Sequence, residues 1–185
     1  MVTGMTVEGS SSAVPPEIRG MIESWPAIPA FVRDRHLTVL AANDLARSLS
    51  PAFHDGVDLV RATFVDSDAM RTSPSRAVIA EHFAGTLRES LARHESDDAF
   101  ERIVTDLSTT SSAFAEAWAN GGGSRDEADA FAFPNDVVGP LTLTYQQLNI
   151  PRVFDLTLVV WRPVDENSRV ALGRLAEIVA GAAEA

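Results

Sequence analysis

Ile28–Ala46 reads IPAFVRDRHLTVLAANDLA. The pattern is that of two short strands folding back on each other at Arg33-Asp34-Arg35, followed by a short helix running to about Leu49. Asn43 stands where that helix should be capped, since its side-chain oxygen can accept from a backbone N–H of the first turn. Leu37, Val39 and Ala41 alternate with His36 and Thr38, as expected of a half-buried second strand. Leu40 interrupts the alternation, so both faces of the strand should be at least partly covered.

Upstream, residues 1 to 14 are small and polar and read as a tail. Pro15-Pro16 opens a short helix with Ile18, Met21, Ile22 and Trp25 at helical spacing, ended by Pro26 and Pro29. Downstream, Pro51–Asp58 is a turn region and Leu59–Phe64 a short apolar segment. Asp66 and Asp68 mark an exposed turn. From about Pro74 to Arg93, Ile79, Phe83, Leu87 and Leu91 recur every four residues and define one apolar stripe.

Asp97-Asp98 suits the positive end of a further helix, whose apolar face is Phe100, Ile103, Val104 and Leu107. A third short helix carries Phe114 and Trp118, capped by Ser111 or Ser112. Ala119–Ala128, ANGGGSRDEA, reads as a flexible loop.

Strands return at the end of the chain. Phe131 and Phe133 alternate with alanines. Leu141, Leu143 and Tyr145 alternate with Thr142, Thr144 and Gln146, and Phe154, Leu156, Leu158 and Val160 follow the same rule after a turn at Asn149–Arg152. Clean period-two alternation predicts antiparallel strands with one face on the core. A last helix, from about Asp165 to Ala182, presents Leu172, Leu175, Ala176 and Val179. The expected architecture is α+β: a five-stranded antiparallel sheet with several helices packed on one face, in the strand and helix order of a PAS-like domain, with residues 15 to 185 forming one domain.

Composition narrows the functional classes. The 185-residue chain is 45% hydrophobic and 22% charged, as ordinary globular proteins are. With no cysteine, disulfides, thiolate nucleophiles and cysteine zinc sites are excluded. No apolar run approaches a membrane span and the N-terminus lacks a signal-peptide pattern, so a cytoplasmic location is the default expectation. The formal charge is −11 and all 15 basic residues are arginines. So acidic a surface repels phosphate backbones, so direct nucleic-acid binding by this chain is not expected.

No catalytic or metal motif stands out. His36, His54, His82 and His94 are scattered without ligand spacing and read as solvent-facing or strand-surface residues. There is no G-x-S-x-G elbow, and Gly121-Gly122-Gly123-Ser124 lacks the lysine of a phosphate loop. Turn and cap chemistry explains Asp34, Asp66, Asp68 and Asp136. No cofactor is implied. Phe53, Phe64, Phe83, Leu87, Leu107, Phe114 and Trp118 lie on several short helices facing one sheet. Such an arrangement either fills a core or leaves an apolar pocket between the layers. Arg61 either pairs with a ligand carboxylate at the mouth of that pocket or makes a surface ion pair.

The succession IPAFVRDRHLTVLAAN, DLVRATFVD, SSAFAEAWA, FPNDVVGPLTLTYQQL and LTLVVWRP resembles the MmyB-like ligand-binding domain of bacterial XRE-type helix-turn-helix transcription regulators, over about Pro16 to Pro163. The resemblance implies a PAS-like fold with a buried pocket for a small hydrophobic ligand such as a fatty acid. Asn43, Arg61, Phe64, Asp66, Phe114, Trp118, Gly139 and Tyr145 fall on family-pattern positions. The family often has Trp where this chain has Ser75-Arg76, and His-Pro where it has Phe133-Pro134, so ligand identity does not transfer.

The helix-turn-helix is absent from this chain, and MVTGMTVEG reads as a native start, which favours a stand-alone form. That form would act through a partner protein that binds DNA, act as a homodimer, or simply hold its ligand. The candidate ligand-binding residues are Arg61, Phe64, Phe83, Leu87, Leu107, Phe114, Trp118 and Tyr145. The alternatives are a protein-interaction module with a fully packed core and, less favoured by the turn positions of the acids, a small enzyme using a buried carboxylate.

Overall fold

The computed structural model of the chain describes residues 13–64, 76–94, 96–121, 130–151 and 153–183. Five antiparallel strands form one sheet in the order β2-β1-β5-β4-β3. They are β1 (Ala30–Arg33), β2 (Val39–Ala42), β3 (Phe131–Phe133), β4 (Leu141–Asn149) and β5 (Thr157–Pro163). The described helices are α1 (Pro16–Glu23), α2 (Asp44–Leu49), a 3-10 turn (Pro51–Phe53), α3 (Leu59–Phe64), α4 (Arg76–Arg93), α5 (Asp98–Thr110), α6 (Ser112–Ala119) and α7 (Glu166–Ala183). The fold is α+β and PAS-like, as the succession of patterns predicts. Residues 1–12 of the expected tail at 1–14, Asp66, Asp68, Pro74, Ser75 and the glycine run from Gly122 lie outside the described residues.

Local chemistry accounts for most helix starts. Side chains of Asn43, Asp97 and Ser111 each accept from a backbone N–H three residues on. Asp58 Oδ1 accepts from Val60 N and Arg61 N, and Asp165 Oδ1 from Ser168 N. These bonds satisfy first-turn donors that have no partner within the helix.

Asn43 does more than cap. Its Oδ1 accepts from both Ala46 N and Ala30 N, and its Nδ2 faces the carbonyls of Ile22, Trp25 and Ile28 at 2.7–3.2 Å. One buried amide thereby ties α1, β1 and α2 together.

The β1–β2 connection is closed by Asp34, whose Oδ1 accepts from His36 N and Thr38 N. Leu37 is not part of the strand as its alternation suggested. It sits in this turn with φ at 68°, fully buried. Left-handed backbone is unfavourable for a leucine, and burial of its side chain in the main core compensates.

The sheet is covered on both faces. Along β1, Phe31 enters the main core while Ala30 and Val32 enter a second cluster with Ile22, Ala41, Leu156 and Leu158, which α1 closes from outside through Ile18 and Met21. Most helices pack on the main-core face. This overturns the one-face reading of β5: Val159 and Trp161 point to the main core, Leu158 and Val160 to the α1 side. Phe154, expected in the core, is 84% exposed. It sits in a turn held by Val153 N to Ile150 O and Leu156 N to Val153 O. A central strand buried on both faces is apolar throughout, so alternation cannot assign its sides.

Candidate functional site

The candidate site lies between α4 and the main-core face of the sheet. Helix α4 presents two stripes there. Ala80, Ala84 and Leu87 are fully buried, with Phe83 half-buried beside them. Small alanines on a helix face let a neighbouring helix approach closely, and α6 fills that position. Arg88 locks the two helices by donating to the carbonyls of Ala117 and Trp118 at the end of α6, with its guanidinium 4.6 Å above the Trp118 ring.

The second stripe is polar and also buried: His82, Thr86 and Ser90, one turn apart. Thr86 Oγ1 donates to its own helix at His82 O, and Ser90 Oγ donates to Arg35 O in the β1–β2 turn. His82 Nε2 is 2.9 Å from the Tyr145 hydroxyl on β4.

Aromatic rings connect these parts into one layer. Trp118 stacks on Phe114, and the contacts continue through Phe64, Phe83, His82, Tyr145, Trp161 and Phe53 to Phe31. Successive ring centroids are 4.8–5.9 Å apart, the normal range for interacting aromatics. The indole N–H of Trp161, buried in this layer, has no hydrogen-bond acceptor among the described residues. Buried donors are nearly always paired, so this one marks a place for a polar atom.

Arg33 lies at one end of the layer. Strand parity puts its side chain on the same face as Phe31, and it is 4% exposed. It donates to Gln147 Oε1 on β4 and to Asp34 O. Burial pushes the guanidinium down to about 10, opposed first by Tyr145, with Arg93 adding to the lowering and Asp34 and Glu89 opposing it more weakly.

A separate polar cluster holds the rim. Asp97 accepts from Phe100 N and pairs with Arg35 and with His36 Nε2 at 3.1 Å. Burial acts to raise the Asp97 carboxyl, but these donors outweigh it and hold the group at about 2. Asp34 moves the other way, raised by burial despite its backbone hydrogen bonds to Thr38 and His36.

Seven of the eight candidate ligand-binding residues belong to the main core. Phe64, Leu87, Leu107 and Phe114 are buried, and Phe83, Trp118 and Tyr145 are half-buried. Arg61 lies elsewhere. It is exposed on α3 and lines an open cleft of about 220 Å³ with Asp58, Ile103, Asp106 and Leu107. His82, expected at the surface, is 8% exposed and central to the layer.

His82 and Arg33 escaped the sequence reading, although both left a trace. His82, Thr86 and Ser90 recur at intervals of four, and Arg33 has the inward parity of Phe31. Among the described residues, no group of three or more histidines and acids could hold a metal ion, and no helix is long and apolar enough to cross a membrane.

Residues 14–175 match the family model described as MmyB-like transcription regulator ligand binding domain. No curated protein matches the chain.

Proposed function

We propose that this chain, which belongs to the MmyB-like transcription regulator ligand binding domain family, holds a small hydrophobic, fatty-acid-like molecule between its helices and the inner face of its sheet. A ligand-sensing regulatory role is that of the family; the kind of ligand and its seat are our reading. The observation that supports the seat is the continuous aromatic layer from Trp118 to Phe31, flanked by the buried polar groups His82, Tyr145 and Arg33. Sites for small organic ligands have this make-up, apolar walls with a few placed polar groups.

Phe64, Phe83, Leu87, Leu107, Phe114, Trp118 and Tyr145 are the proposed contacts, with Arg61 at the outer cleft. Ligand inserted here would separate or realign α4, α5 and α6. It would shift regulation only to the extent that it binds one helix arrangement better than another. With a formal charge of −11, the output is relayed by a DNA-binding partner protein or a homodimer rather than by direct DNA contact. The role is sensing, not catalysis, and the proposed setting is the cytoplasm.

A second reading, a docking module with a solid core, is favoured by the complete burial of Leu87 and Phe114. Native mass spectrometry of the purified protein, followed by organic extraction, separates the two. An acyl chain bound at near one-to-one stoichiometry is the expected result. A clean apo mass, with no thermal shift across a fatty-acid panel, overturns the sensor reading and leaves the docking module.

A further inference from the structure

Arg33 is a cation whose surroundings do not neutralise it. It is 4% exposed, and its partners, the Gln147 amide oxygen and the Asp34 carbonyl, are both uncharged. It forms no ion pair among the described residues, although the more accessible Arg19, Arg47 and Arg169 of the same chain do. A buried charge is costly unless it is paired. A guanidinium has five donors in a planar fork, and two neutral acceptors do not use them all.

The position is as informative as the charge. Arg33 sits on the core face of β1, paired in register with Thr157 on β5, and reaches across to Gln147 on β4. Tyr145, two residues before Gln147 on that strand and facing the same way, belongs to the aromatic layer. Gln147 and Tyr145 are both half-buried, so the β4 side of the Arg33 surroundings is not fully closed.

We infer that Arg33 is the anchor for the anionic head of the ligand, a carboxylate attached to an apolar chain that runs from Arg33 past Tyr145 along the aromatic layer. This rests on the ligand-sensing reading above and assigns the head group to Arg33 and not to Arg61. The carboxylate meets the guanidinium fork in the bidentate geometry that arginine favours. Neutralising this cation lets α4, whose Ser90 already bonds the adjoining turn, close onto the sheet without a buried unpaired charge. Head-group recognition and helix docking are thereby coupled.

The test compares dodecanoate with 1-dodecanol, equal in chain length and different in charge, by calorimetric titration of the full chain at pH 8. Acetate serves as a head group without a chain. The wild type is expected to bind the acid at least about tenfold tighter than the alcohol, as one charge-assisted contact implies, and to ignore acetate. Arg33→Met is expected to reduce the acid to the level of the alcohol while leaving the alcohol's affinity unchanged. Arg61→Gln is expected to keep the preference.

Equal binding of acid and alcohol by the wild type overturns the Arg33 anchor and leaves the acyl-chain site standing. So does a preference that survives Arg33→Met or is lost in Arg61→Gln. If neither chain binds, the sensor reading fails and the anchor fails with it. The wild-type comparison decides even if Arg33→Met does not fold.

Discussion

The Tyr145 hydroxyl on β4 and His82 Nε2 on α4 are 2.9 Å apart, inside a layer of aromatic rings. The contact joins residues 63 positions apart in the chain and is a buried polar link between the long helix and the sheet, beside the exposed one from Arg93 to Asn149. Which of the two atoms donates depends on the imidazole tautomer. In either case the bond helps fix the depth at which α4 sits over β4, because sliding the helix by one turn would bring Thr86 to the place of His82.

Tyr145→Phe removes this hydroxyl and leaves the ring. The expected loss of stability is about 1 kcal/mol, the usual net worth of a partly buried hydrogen bond. Urea unfolding followed by tryptophan fluorescence measures it. A variant as stable as the wild type would mean that the bond does not hold α4 in place.

Asn43→Ala should be far more damaging. It removes an acceptor shared by Ala30 N and Ala46 N and a donor that faces three backbone carbonyls. Loss of a helix cap together with buried unpaired backbone groups is expected to cost more than about 2 kcal/mol. Asn43→Asp keeps the acceptor but sets a carboxylate against those carbonyls, so it should not rescue. Chemical denaturation of both variants checks the pair, and a rescue by Asp would sink the argument from the Nδ2 donors.

The rim cluster makes acid stability depend on Asp97. Its carboxyl is held at about 2, against 3.8 for an unperturbed group. A carboxyl lowered in the folded state adds stability above its unfolded value, and that contribution is lost as pH falls through the folded value. The melting temperature of the wild type should therefore exceed that of Asp97→Asn above pH 3.8, with the gap closing as pH approaches 2. Asn can still cap the helix, so the comparison isolates the charge. A gap independent of pH would contradict the pairing with Arg35 and His36.

Phe154 and Leu156 have the same strand parity and opposite surroundings, 84% and 0% exposed. Phe154→Ser is expected to change stability by no more than about 0.5 kcal/mol. Leu156→Ala, which opens a cavity beneath α1, should cost about 2–5 kcal/mol. Equilibrium unfolding of the two variants tests the placement of the 153–155 turn. Comparable losses would show that both residues lie in the core.

The caps at Asn43, Asp97 and Ser111, the hairpin at Asp34, the stripe of α4 and the order of elements were legible in the chain, because each depends on residues within a turn or two of one another. Asn43 before an apolar helix and Asp97 before Phe100 are local chemistry that no distant contact needs to complete. The family resemblance was legible for the same reason, as an ordered series of such local patterns.

Tertiary structure alone decided which side of each strand faces which layer. LTLVVW on β5 is apolar at every position or nearly so, and only the arrival of α1 on one face and α4–α6 on the other sorts Leu158 from Val159. The same holds for the polar groups that matter most. A histidine in a helix and an arginine in a strand look like surface residues until the sheet brings Tyr145 to one and Gln147 to the other, 63 and 114 residues away. Short-range order follows from backbone and side-chain preferences within a few residues; burial and charge pairing are properties of the packed layers, and no local pattern records them.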